Sequence, residues 1–588
     1  MEPNISGEES SQLVQYNGSG MLDMTFELFR AHDKSQWRAL DRSRDLYEDD
    51  GAGNVSLQYA LVTRYERGKL PYNLHSIVVQ SPYLRNFLAT VFDGYPGVYT
   101  TTKTIKFSAP FPQFYFRWNK FLQCMEQEEN KTALMHIRLL YDVMAKIMDP
   151  LRATAKDLLG NGLIDFEHLF ALFEPGTQVY AKIHGQDRML ITKHYNTDRG
   201  LLSCMFIDMD GKSFGWSSHS MSIKAFEGML PISDLPFIPI QFLADKSIRQ
   251  RMVDRGRRFE QLNGTKHMAY SGIASIKEKK VLITDGRIVI EPVKDLTPKI
   301  QAQMTDEELA CCTPEVHAYC LTNKDWGTFI VDNIGDIAWD DHAFDALVLQ
   351  PEVKKVILSF VQVQLSQKNN FDDIIRGKGK GIVILLQGDA GVGKTLTAES
   401  VAEKIRQPLY VMSAGELGIT AVEVETNLRR VMDRCTAWRA ILLLDECDVF
   451  LEKRSESSLV KNQLVAVFLR LLEYYQGVLF LTTNRISAFD PAFESRIHLT
   501  IDYPMLDRQA RQRIWGNFIN AESQPSITAD HLRILGHLGL NGRQIKHVVK
   551  TAALLATAEQ TTLRFEHIET VIKVKGLELH QEKHDEDE

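Results

Sequence analysis

An eight-residue glycine-rich segment constrains the fold of this chain more than any other feature of its sequence. Residues 388–395 read GDAGVGKT and fit the pattern GxxxxGK[ST]. The segment directly follows the apolar run GIVILLQ and precedes the helical text TLTAESVAEKIRQ, which is the context that a phosphate-binding loop requires. A structural glycine turn, the alternative interpretation, would not explain the Lys394–Thr395 pair. The sequence therefore predicts a strand, a phosphate-binding loop and a helix in succession.

The loop predicts a nucleotide site because glycines let backbone N–H groups curl around phosphates, and the following helix N-terminus adds a positive dipole. Lys394 is expected to reach the β- and γ-phosphates, and the Thr395 hydroxyl is expected to ligate Mg²⁺. The residues predicted to bind the nucleotide from this segment are Gly388, Asp389, Ala390, Gly391, Val392, Gly393, Lys394, Thr395 and Leu396.

Short apolar runs alternate with helical segments in the second half of the chain. The runs occupy 381–387, 408–413, 440–446, 478–484 and 498–504. Buried strands with helices between them are typical of a parallel, doubly wound sheet. After Asp507 the sequence is helical to about Leu579.

Two of the apolar runs end in side chains suited to phosphate chemistry. ILLLDE delivers Asp445 and Glu446 to a strand end, and LFLTTN delivers Asn484. In an open α/β sheet, ligands bind at the carboxyl ends of the strands. Asp445 is expected to hold Mg²⁺, usually through water, Glu446 to polarise the attacking water, and Asn484 to orient that water. The alternatives are a strand-end turn for the two acids and a turn cap for Asn484.

Five elements in this order resemble an AAA-type (AAA+) ATPase over about residues 330 to 578: the loop, ILLLDE, LFLTTNR, DPAFESRIH at 490–498 and GLNGRQI at 539–545. VFLRLLEYYQGVLFLTTN, followed by FDPAFESRIHLTIDYP, resembles a largely uncharacterised group of these ATPases that is abundant in filamentous fungi. Several segments of the front half resemble the domain of unknown function that precedes the ATPase in that group. They read ALFEPGTQVYA, IDMDGKSFG, FEGMLPISDLP, DRGRRF and GRIVIEP.

This resemblance implies a fold class and a mode of action. The fold class is α/β: a P-loop NTPase parallel sheet with a C-terminal helical lid, preceded by an α+β region with a β-rich part. ATP and Mg²⁺ would bind between sheet and lid, in a homo-oligomeric ring that is commonly hexameric. Arg496 would be the arginine finger for a neighbour's γ-phosphate, and Arg543 the nucleotide-sensing arginine of the lid. Alternatively, Arg496 pairs with Glu494 or Asp490, and Arg543 caps a helix.

Two departures from the family pattern affect the expected function. Asp389 and Ala390 replace two prolines of the usual loop, which removes backbone stiffness and predicts weaker nucleotide binding. No aromatic residue lies between Tyr410 and Trp438, where threading members of the family carry an aromatic pore loop. A threading motor is therefore in doubt, and Leu417 or Ile419 would be a weaker substitute.

The front half shows no chemical motif but divides into regions. Residues 21–40 are compatible with one amphipathic helix in a loose tail, and Asp285–Gly286 between two β-branched runs indicates a hairpin. A second hairpin is indicated at 184–187. The predicted domains are a polar tail (1–54), a mixed α/β region (55–176), a β-rich domain (177–325), the ATPase core (326–506), the lid (507–578) and an acidic tail (579–588).

Composition excludes several other classes. Lys+Arg of 68 against Asp+Glu of 76 gives a net charge of −8, which argues against a nucleic-acid binder. The basic stretch 249–258 remains as a less favoured nucleic-acid site. Seven cysteines are a low density for a chain of this length, which argues for reduced thiols. The sequence has no CxxC pair and no Cys/His cluster with ligand spacing, which argues against zinc. Cys447 is interpreted as a small buried residue, with a redox brake as the alternative.

No apolar run approaches the roughly 18 residues that a membrane span needs. No signal peptide or presequence is evident in the sequence. The expected location is therefore intracellular, in the cytoplasm or the nucleus.

Two functional hypotheses follow. The first is an ATPase that hydrolyses ATP in a ring and remodels an unidentified protein partner bound by the N-terminal region. The second is an ATP-gated binding module with slow hydrolysis and no threading, favoured by the altered loop and the missing pore aromatic.

Overall fold

A computed structural model describes residues 20–30, 38–39, 57–66, 73–197, 199–209, 213–291, 299–300, 303–366, 380–451, 459–484, 490–522 and 527–577. The chain forms two compact units. The first contains residues up to 263 together with 292–316, and the second contains 264–291 and 317–588. Residues 264–291 and 317–325, which the sequence analysis assigned to the β-rich domain, thus belong to the same unit as the phosphate-binding loop. The functional limits of the domains stay a prediction.

The regular elements are numbered in chain order. The strands are β1 Leu22–Arg30, β2 Arg38–Ala39, β3 Tyr59–Glu66, β4 Asn73–Val79, β5 Ile105–Ser108, β6 Leu163–Asp165, β7 Gln178–Ile183, β8 Gln186–Asn196, β9 Leu201–Met209, β10 Phe214–Ser222, β11 Met229–Pro231, β12 Phe237–Pro239, β13 Lys266–Ile276, β14 Lys279–Ile290, β15 Lys299–Ile300, β16 Glu315–Cys320, β17 Asp325–Ile330, β18 Ile334–Gly335, β19 Ile382–Gly388, β20 Leu409–Ser413, β21 Ile441–Asp445, β22 Val478–Thr483 and β23 Leu499–Tyr503. The helices are α1 Pro82–Val91, α2 Pro112–Glu126, α3 Lys131–Gly160, α4 Ser247–Gln261, α5 Asp306–Ala310, α6 Pro351–Leu365, α7 Lys394–Ile405, α8 Ala421–Trp438, α9 Asp448–Leu451, α10 Leu459–Tyr474, α11 Arg508–Glu522, α12 Ala529–Gly536, α13 Gly542–Ala558 and α14 Phe565–Val574. None of the helices in the described ranges is long and apolar enough to span a membrane.

The first unit begins with a mixed five-stranded sheet in the order β2-β1-β3-β4-β5. Its apolar core includes Phe114, Trp118 and Phe121 of α2, all almost fully buried. The predicted amphipathic helix over 21–40 is wrong for its described N-terminal part, because β1 is a strand that pairs in parallel with β3. The segment LDMTFELFR alternates between apolar and polar side chains, which fits the two-residue period of a strand as well as the 3.6-residue period of a helix. Its backbone groups form hydrogen bonds in the ladder with β3.

A six-stranded antiparallel sheet follows in the order β12-β7-β8-β9-β10-β15. The predicted hairpin near residues 184–187 is confirmed, since His184 and Gly185 form the β7–β8 turn with φ of 52° and 83°. Two residues at positive φ give the turn geometry that fits the twist of a two-stranded ribbon.

The second unit opens with a small sheet in the order β14-β16-β17-β13-β18. The hairpin predicted at Asp285–Gly286 is wrong, because both residues lie inside β14 and the turn falls at Lys277 and Glu278. Asp285 instead occupies a bulge with φ of 53°, opposite a register shift between Tyr270 and Gly272. An Asp-Gly pair tolerates left-handed backbone, which suits a bulge as well as a turn.

The main sheet of the second unit has five strands in the order β20-β21-β22-β19-β23, all parallel. Every predicted apolar run supplies one of these strands, and the centres of β19, β21 and β22 are fully buried. Helices α11 to α14 follow as a separate helical core around Trp515, Ile545 and Ile568. The predicted α/β class with a parallel sheet is confirmed.

The small sheet packs against the edge of the main sheet within this unit. Tyr319 of β16 and Tyr410 of β20 share a hydrogen bond of 2.9 Å between their hydroxyl groups. The guanidinium of Arg434 on α8 lies 4.9 Å from the ring centroid of Tyr319. Residues 264–291 and 317–335 are thus structurally part of the core that carries the phosphate-binding loop.

Candidate functional site

The phosphate-binding loop joins β19 to α7 through backbone that only glycine adopts readily. Gly388, Gly391 and Gly393 have φ of 147°, 80° and 107°. A Cβ at Gly388 would lie 2.5 Å from the carbonyl oxygen of Tyr503 on β23. Both the dihedral angles and the close approach of β23 therefore require glycine at the start of the loop.

Lys394 connects the loop with the end of β22. Its ammonium group donates to the carbonyl oxygens of Gly388 and Asp389, both at 2.7 Å, and to Asn484 Oδ1 at 2.8 Å. Burial lowers the pKa of Lys394, and the carboxylates of Asp445, Asp389 and Asp448 oppose that shift. The lysine thus places a positive charge between the phosphate-binding loop and Asn484.

Thr395 and Asp445 face each other across the start of α7 and the end of β21. The Thr395 hydroxyl lies 3.1 Å from Asp445 Oδ1 and 3.3 Å from Oδ2. A hydroxyl beside a carboxylate is the oxygen donor set that Mg²⁺ takes from a protein when phosphates and water supply its other ligands. Among the described residues no cluster of three His, Cys, Asp or Glu side chains could hold a metal ion. These two residues therefore fit magnesium bound together with a nucleotide.

Glu446 lies at a strained turn directly after β21. Its φ is 53°, and its side chain is exposed. Its backbone N–H donates to the Thr482 hydroxyl at 3.0 Å. The turn directs the carboxylate away from the sheet core, where a water molecule can reach it.

The two arginines implied by the family resemblance have different surroundings. Arg496 Nη1 donates to the Ala492 carbonyl at 2.8 Å and to Ser495 Oγ at 3.1 Å. Its Nη2 lies 3.6 Å from Glu473 on α10, so the structure gives it an acidic partner other than Glu494 or Asp490.

Arg543 is exposed in the first turn of α13, and its charge contributes to lowering the pKa of Lys394. The helix is capped by the Asn541 side chain, which accepts from the Gln544 N–H at 2.9 Å. Helix capping is therefore the role of Asn541, and Arg543 lies within electrostatic range of the phosphate-binding loop.

The loop also contacts the C-terminal helices. Asn541 Nδ2 donates to the Ala390 carbonyl at 3.3 Å. A Cβ on Gly391 would lie 2.8 Å from Asn541 Cγ, and one on Gly542 would lie 3.0 Å from the Gly391 carbonyl oxygen. The N-terminus of α13 thus packs directly on the phosphate-binding loop, beside exposed Asp389.

The segment after β20 holds only one of its two candidate substrate-contacting residues on the surface. Leu417 is fully buried in the core, so it cannot substitute for a pore aromatic. Ile419 is 86 % exposed. Glu416, which precedes Leu417, forms an ion pair with Lys324 in the turn between β16 and β17.

Three residues that the sequence analysis did not single out support the site. Thr482 donates to Asp445 Oδ1 and accepts from Glu446 N. Asp448 accepts from the Thr483 hydroxyl and, at 3.2 Å, from the Asn484 N–H. Asn541 is the third. The available signal was the polar pair Thr482–Thr483 at the end of an otherwise apolar strand.

Cys447 and two arginines of the basic stretch on α4 are engaged in contacts within the protein. Cys447 is fully buried, burial raises the pKa of its thiol, and its Sγ donates to the Thr482 carbonyl at 3.0 Å. Arg255 is buried and donates to the Asp187 carbonyl at 2.7 Å. Arg257 pairs with Asp306 at 3.1 Å. A buried thiol is inert, and arginines already paired with protein groups are less available to a phosphate backbone.

A parallel sheet with this loop and these strand-end carboxylates defines a P-loop nucleotide-binding protein. Residues 384–505 match the model of the family described as ATPase family associated with various cellular activities (AAA), so the chain carries an AAA ATPase domain. Residues 154–244 match a domain of unknown function, DUF7025.

Similar curated proteins include two ATPase family AAA domain-containing proteins. The chain is 27 % identical over 239 residues to the ATPase family AAA domain-containing protein FIGL1 of Arabidopsis thaliana, covering 38 % of this chain and 34 % of that protein. The chain is 30 % identical over 147 residues to the human ATPase family AAA domain-containing protein 3B, and the match covers 23 % of this chain and 22 % of that protein.

The chain is also 29 % identical over 203 residues to a putative 26S proteasome regulatory subunit homolog of Methanothermobacter thermautotrophicus. That match covers 32 % of this chain and 54 % of that protein. The chain therefore spans less than two thirds of the length of each of these relatives.

Proposed function

We propose that this protein binds Mg·ATP between the parallel sheet and helices α11 to α14 and hydrolyses it to ADP and phosphate. The observation that carries the proposal is the contact set of Lys394. It links the phosphate-binding loop to Asn484, and the next residue, Thr395, contacts Asp445. Groups from three strand ends thereby surround one place where a triphosphate can bind.

The chain's own residues divide the work. Backbone N–H groups of the loop and the Lys394 ammonium would bind the phosphate oxygens. Thr395 and Asp445 would hold Mg²⁺, which neutralises charge on the β- and γ-phosphates when bound. Glu446 would accept a proton from a water molecule while the water oxygen attacks the γ-phosphorus. The bond between the γ-phosphorus and the bridging oxygen would then break, and that oxygen would leave with ADP. Asn484 would orient that water.

The assembly is proposed to be a homo-oligomeric ring in which Arg496 reaches the neighbour's ATP. Support comes from the AAA domain and from the half-buried position of Arg496, whose weak contact with Glu473 can be exchanged for a stronger one with phosphate. The N-terminal region, including the segment that matches DUF7025, would bind a protein partner that ATP turnover remodels.

The decisive experiment measures phosphate release and ATP affinity for the wild type and Glu446→Gln. We expect the variant to bind Mg·ATP as tightly as the wild type and to lose turnover, because glutamine cannot accept the proton. Glu126→Gln, an exposed position on α2, is the matched control and should behave as the wild type. Equal turnover in the wild type and Glu446→Gln contradicts the proposal.

The second candidate is an ATP-gated binding module with slow hydrolysis. It is favoured by the burial of Leu417, which leaves Ile419 as the one exposed apolar side chain among the described residues 414–420. Capture of partners by full-length protein in ATP, ADP and nucleotide-free buffer separates the two. Capture that is identical in all three states eliminates the gated module.

A further inference from the structure

We propose that Thr482 is a positioning residue for ATP hydrolysis, whose single hydroxyl orients the Asp445 carboxylate and fixes the backbone of Glu446. This inference rests on the proposed ATPase activity and assigns a role to a residue outside the predicted site. Thr482 belongs to β22, which pairs in parallel with β21, the strand that ends in Asp445.

The contacts of Thr482 cover the whole turn after β21. Its hydroxyl donates to Asp445 Oδ1 and accepts from the Glu446 N–H at 3.0 Å. Its carbonyl oxygen accepts the Cys447 N–H, also at 3.0 Å. One residue of β22 therefore binds three successive residues of the neighbouring turn.

The direction of these hydrogen bonds follows from the groups involved. A backbone N–H can only donate, so the Thr482 oxygen is the acceptor for Glu446. An ionised carboxylate can only accept, so the Thr482 proton is directed at Asp445. The hydroxyl has one proton and both of its roles are used, which gives Asp445 Oδ1 a fixed donor in addition to the Thr395 hydroxyl.

Glu446 needs this support because its backbone is left-handed. A residue with a Cβ at φ of 53° is disfavoured, and such conformations persist where the surroundings hold them. The hydrogen bond from Glu446 N to Thr482 Oγ1 is one of the contacts that hold this turn. The same hydroxyl thus sets both the metal-side carboxylate and the carboxylate that would activate water.

Burial indicates that the hydroxyl is required for more than packing. Thr482 is 1 % exposed, and the preceding residues of β22 are all apolar. Valine has nearly the same shape and would satisfy the pattern of a buried strand. Its presence here would leave the Glu446 N–H without its acceptor and Asp445 without one donor.

The test compares Thr482→Val, which removes only the hydroxyl, with Thr482→Ser, which retains it, in the full chain. Thr436→Val on α8 is the matched control, since its hydroxyl bonds to a helix carbonyl away from the site. Groups that orient metal ligands typically affect activity or metal affinity by about 10- to 100-fold. We expect Thr482→Val to lower kcat by about that factor and to raise the Mg²⁺ concentration for half-maximal activity.

The affinity for a fluorescent ATP analogue in EDTA should change less than about threefold, because the phosphate-binding loop is untouched. Thr482→Ser should restore kcat to within about threefold of the wild type. If Thr482→Val does not fold, as judged by its melting temperature, Thr482→Ala is measured in the same way. The inference is overturned if kcat is lowered as much in Thr482→Ser as in Thr482→Val or Thr482→Ala. It is also overturned if kcat is unchanged in Thr482→Val or Thr482→Ala.

Failure of the proposed function is recognised separately. It would appear as absent or Glu446-independent turnover in the wild type. An active, Glu446-dependent wild type with a fully active Thr482→Val would overturn only the role of Thr482.

Discussion

At the scale of single residues, the position of Lys394 explains how an acidic chain can hold a triphosphate. The net charge of −8 is a sum over 588 residues, whereas the site places this one ammonium group against two loop carbonyls and Asn484. Electrostatic interactions are stronger at such a buried position than on the open surface. Local geometry, and not net charge, therefore determines whether this chain can bind an anion.

We expect Lys394→Met to weaken ATP binding by about 10- to 100-fold, because it removes charged hydrogen bonds worth about 1.5–3 kcal/mol. Titration calorimetry with Mg·ATP and full-length protein measures the effect. Lys573→Met is the control, since Lys573 is exposed on α14 and pairs with Glu569. Unchanged affinity in Lys394→Met would show that the triphosphate binds elsewhere.

The sequence predicted the residues around this site but not what holds them. The structure brings Lys394, Thr395, Asp445 and Asn484 together, while their catalytic roles stay predictions. Thr482 and Asp448 were missed for a physical reason. Their hydrogen bonds exist only once β21 and β22 lie side by side, and a threonine at the end of a strand is ordinary in any sheet.

At the scale of elements, local patterns were reliable where periodicity and burial agree. The five apolar runs form five parallel strands, because a parallel sheet covered by helices buries both faces of each short strand. They failed where one signal fits two structures. Asp285–Gly286 is compatible with a turn or a bulge, and the register of β13 against β14 decided for the bulge.

The junction between β19 and the loop gives a stability prediction. We expect Gly388→Ala to lower the free energy of unfolding by about 1–3 kcal/mol. The new Cβ would clash with the Tyr503 carbonyl oxygen, and alanine disfavours the backbone φ of 147° at this position. Urea denaturation measures it. Gly415→Ala is the control, since a Cβ at Gly415 meets no atom within 4 Å. Equal unfolding midpoints for the two variants would contradict the argument.

The N-terminus of α13 gives a prediction about the helices that follow the main sheet. Asn541→Ala removes both the helix cap and the bond to the Ala390 carbonyl, so we expect about 1 kcal/mol of lost stability together with weaker ATP binding. Thr528→Ala removes the cap of α12 in the same helical core. It should cost similar stability and leave ATP affinity unchanged. Equal ATP affinities for the two variants would contradict a role for Asn541 at the loop.

At the scale of the whole molecule, the two compact units divide the open questions. The second unit contains the candidate site and the small sheet. Tyr319 and Tyr410 join the small sheet to the main sheet through a hydrogen bond between their hydroxyl groups. The first contains the segment that matches DUF7025, for which neither the sequence nor the site supplies chemistry. The proposed partner binding is placed in the first unit, and the proposed nucleotide chemistry in the second.

Ring assembly makes a prediction that only several copies together can show. A site in the proposed ring needs Glu446 from one copy and Arg496 from its neighbour. Arg496→Ala and Glu446→Gln should each be inactive alone, because every site in either ring lacks one of the two groups. Mixed rings contain some junctions with an intact Glu446 facing an intact Arg496, so mixing the two variants should restore part of the phosphate release.

The recovered activity should rise with total protein concentration, since it depends on assembly. The control is a mixture of Glu446→Gln with the double variant Glu446→Gln/Arg496→Ala, in which no junction has an intact Glu446. Recovery in the first mixture alone supports an arginine acting between copies. If neither mixture recovers while both variants still assemble, Arg496 acts within its own chain, where its present partner Glu473 already lies at 3.6 Å.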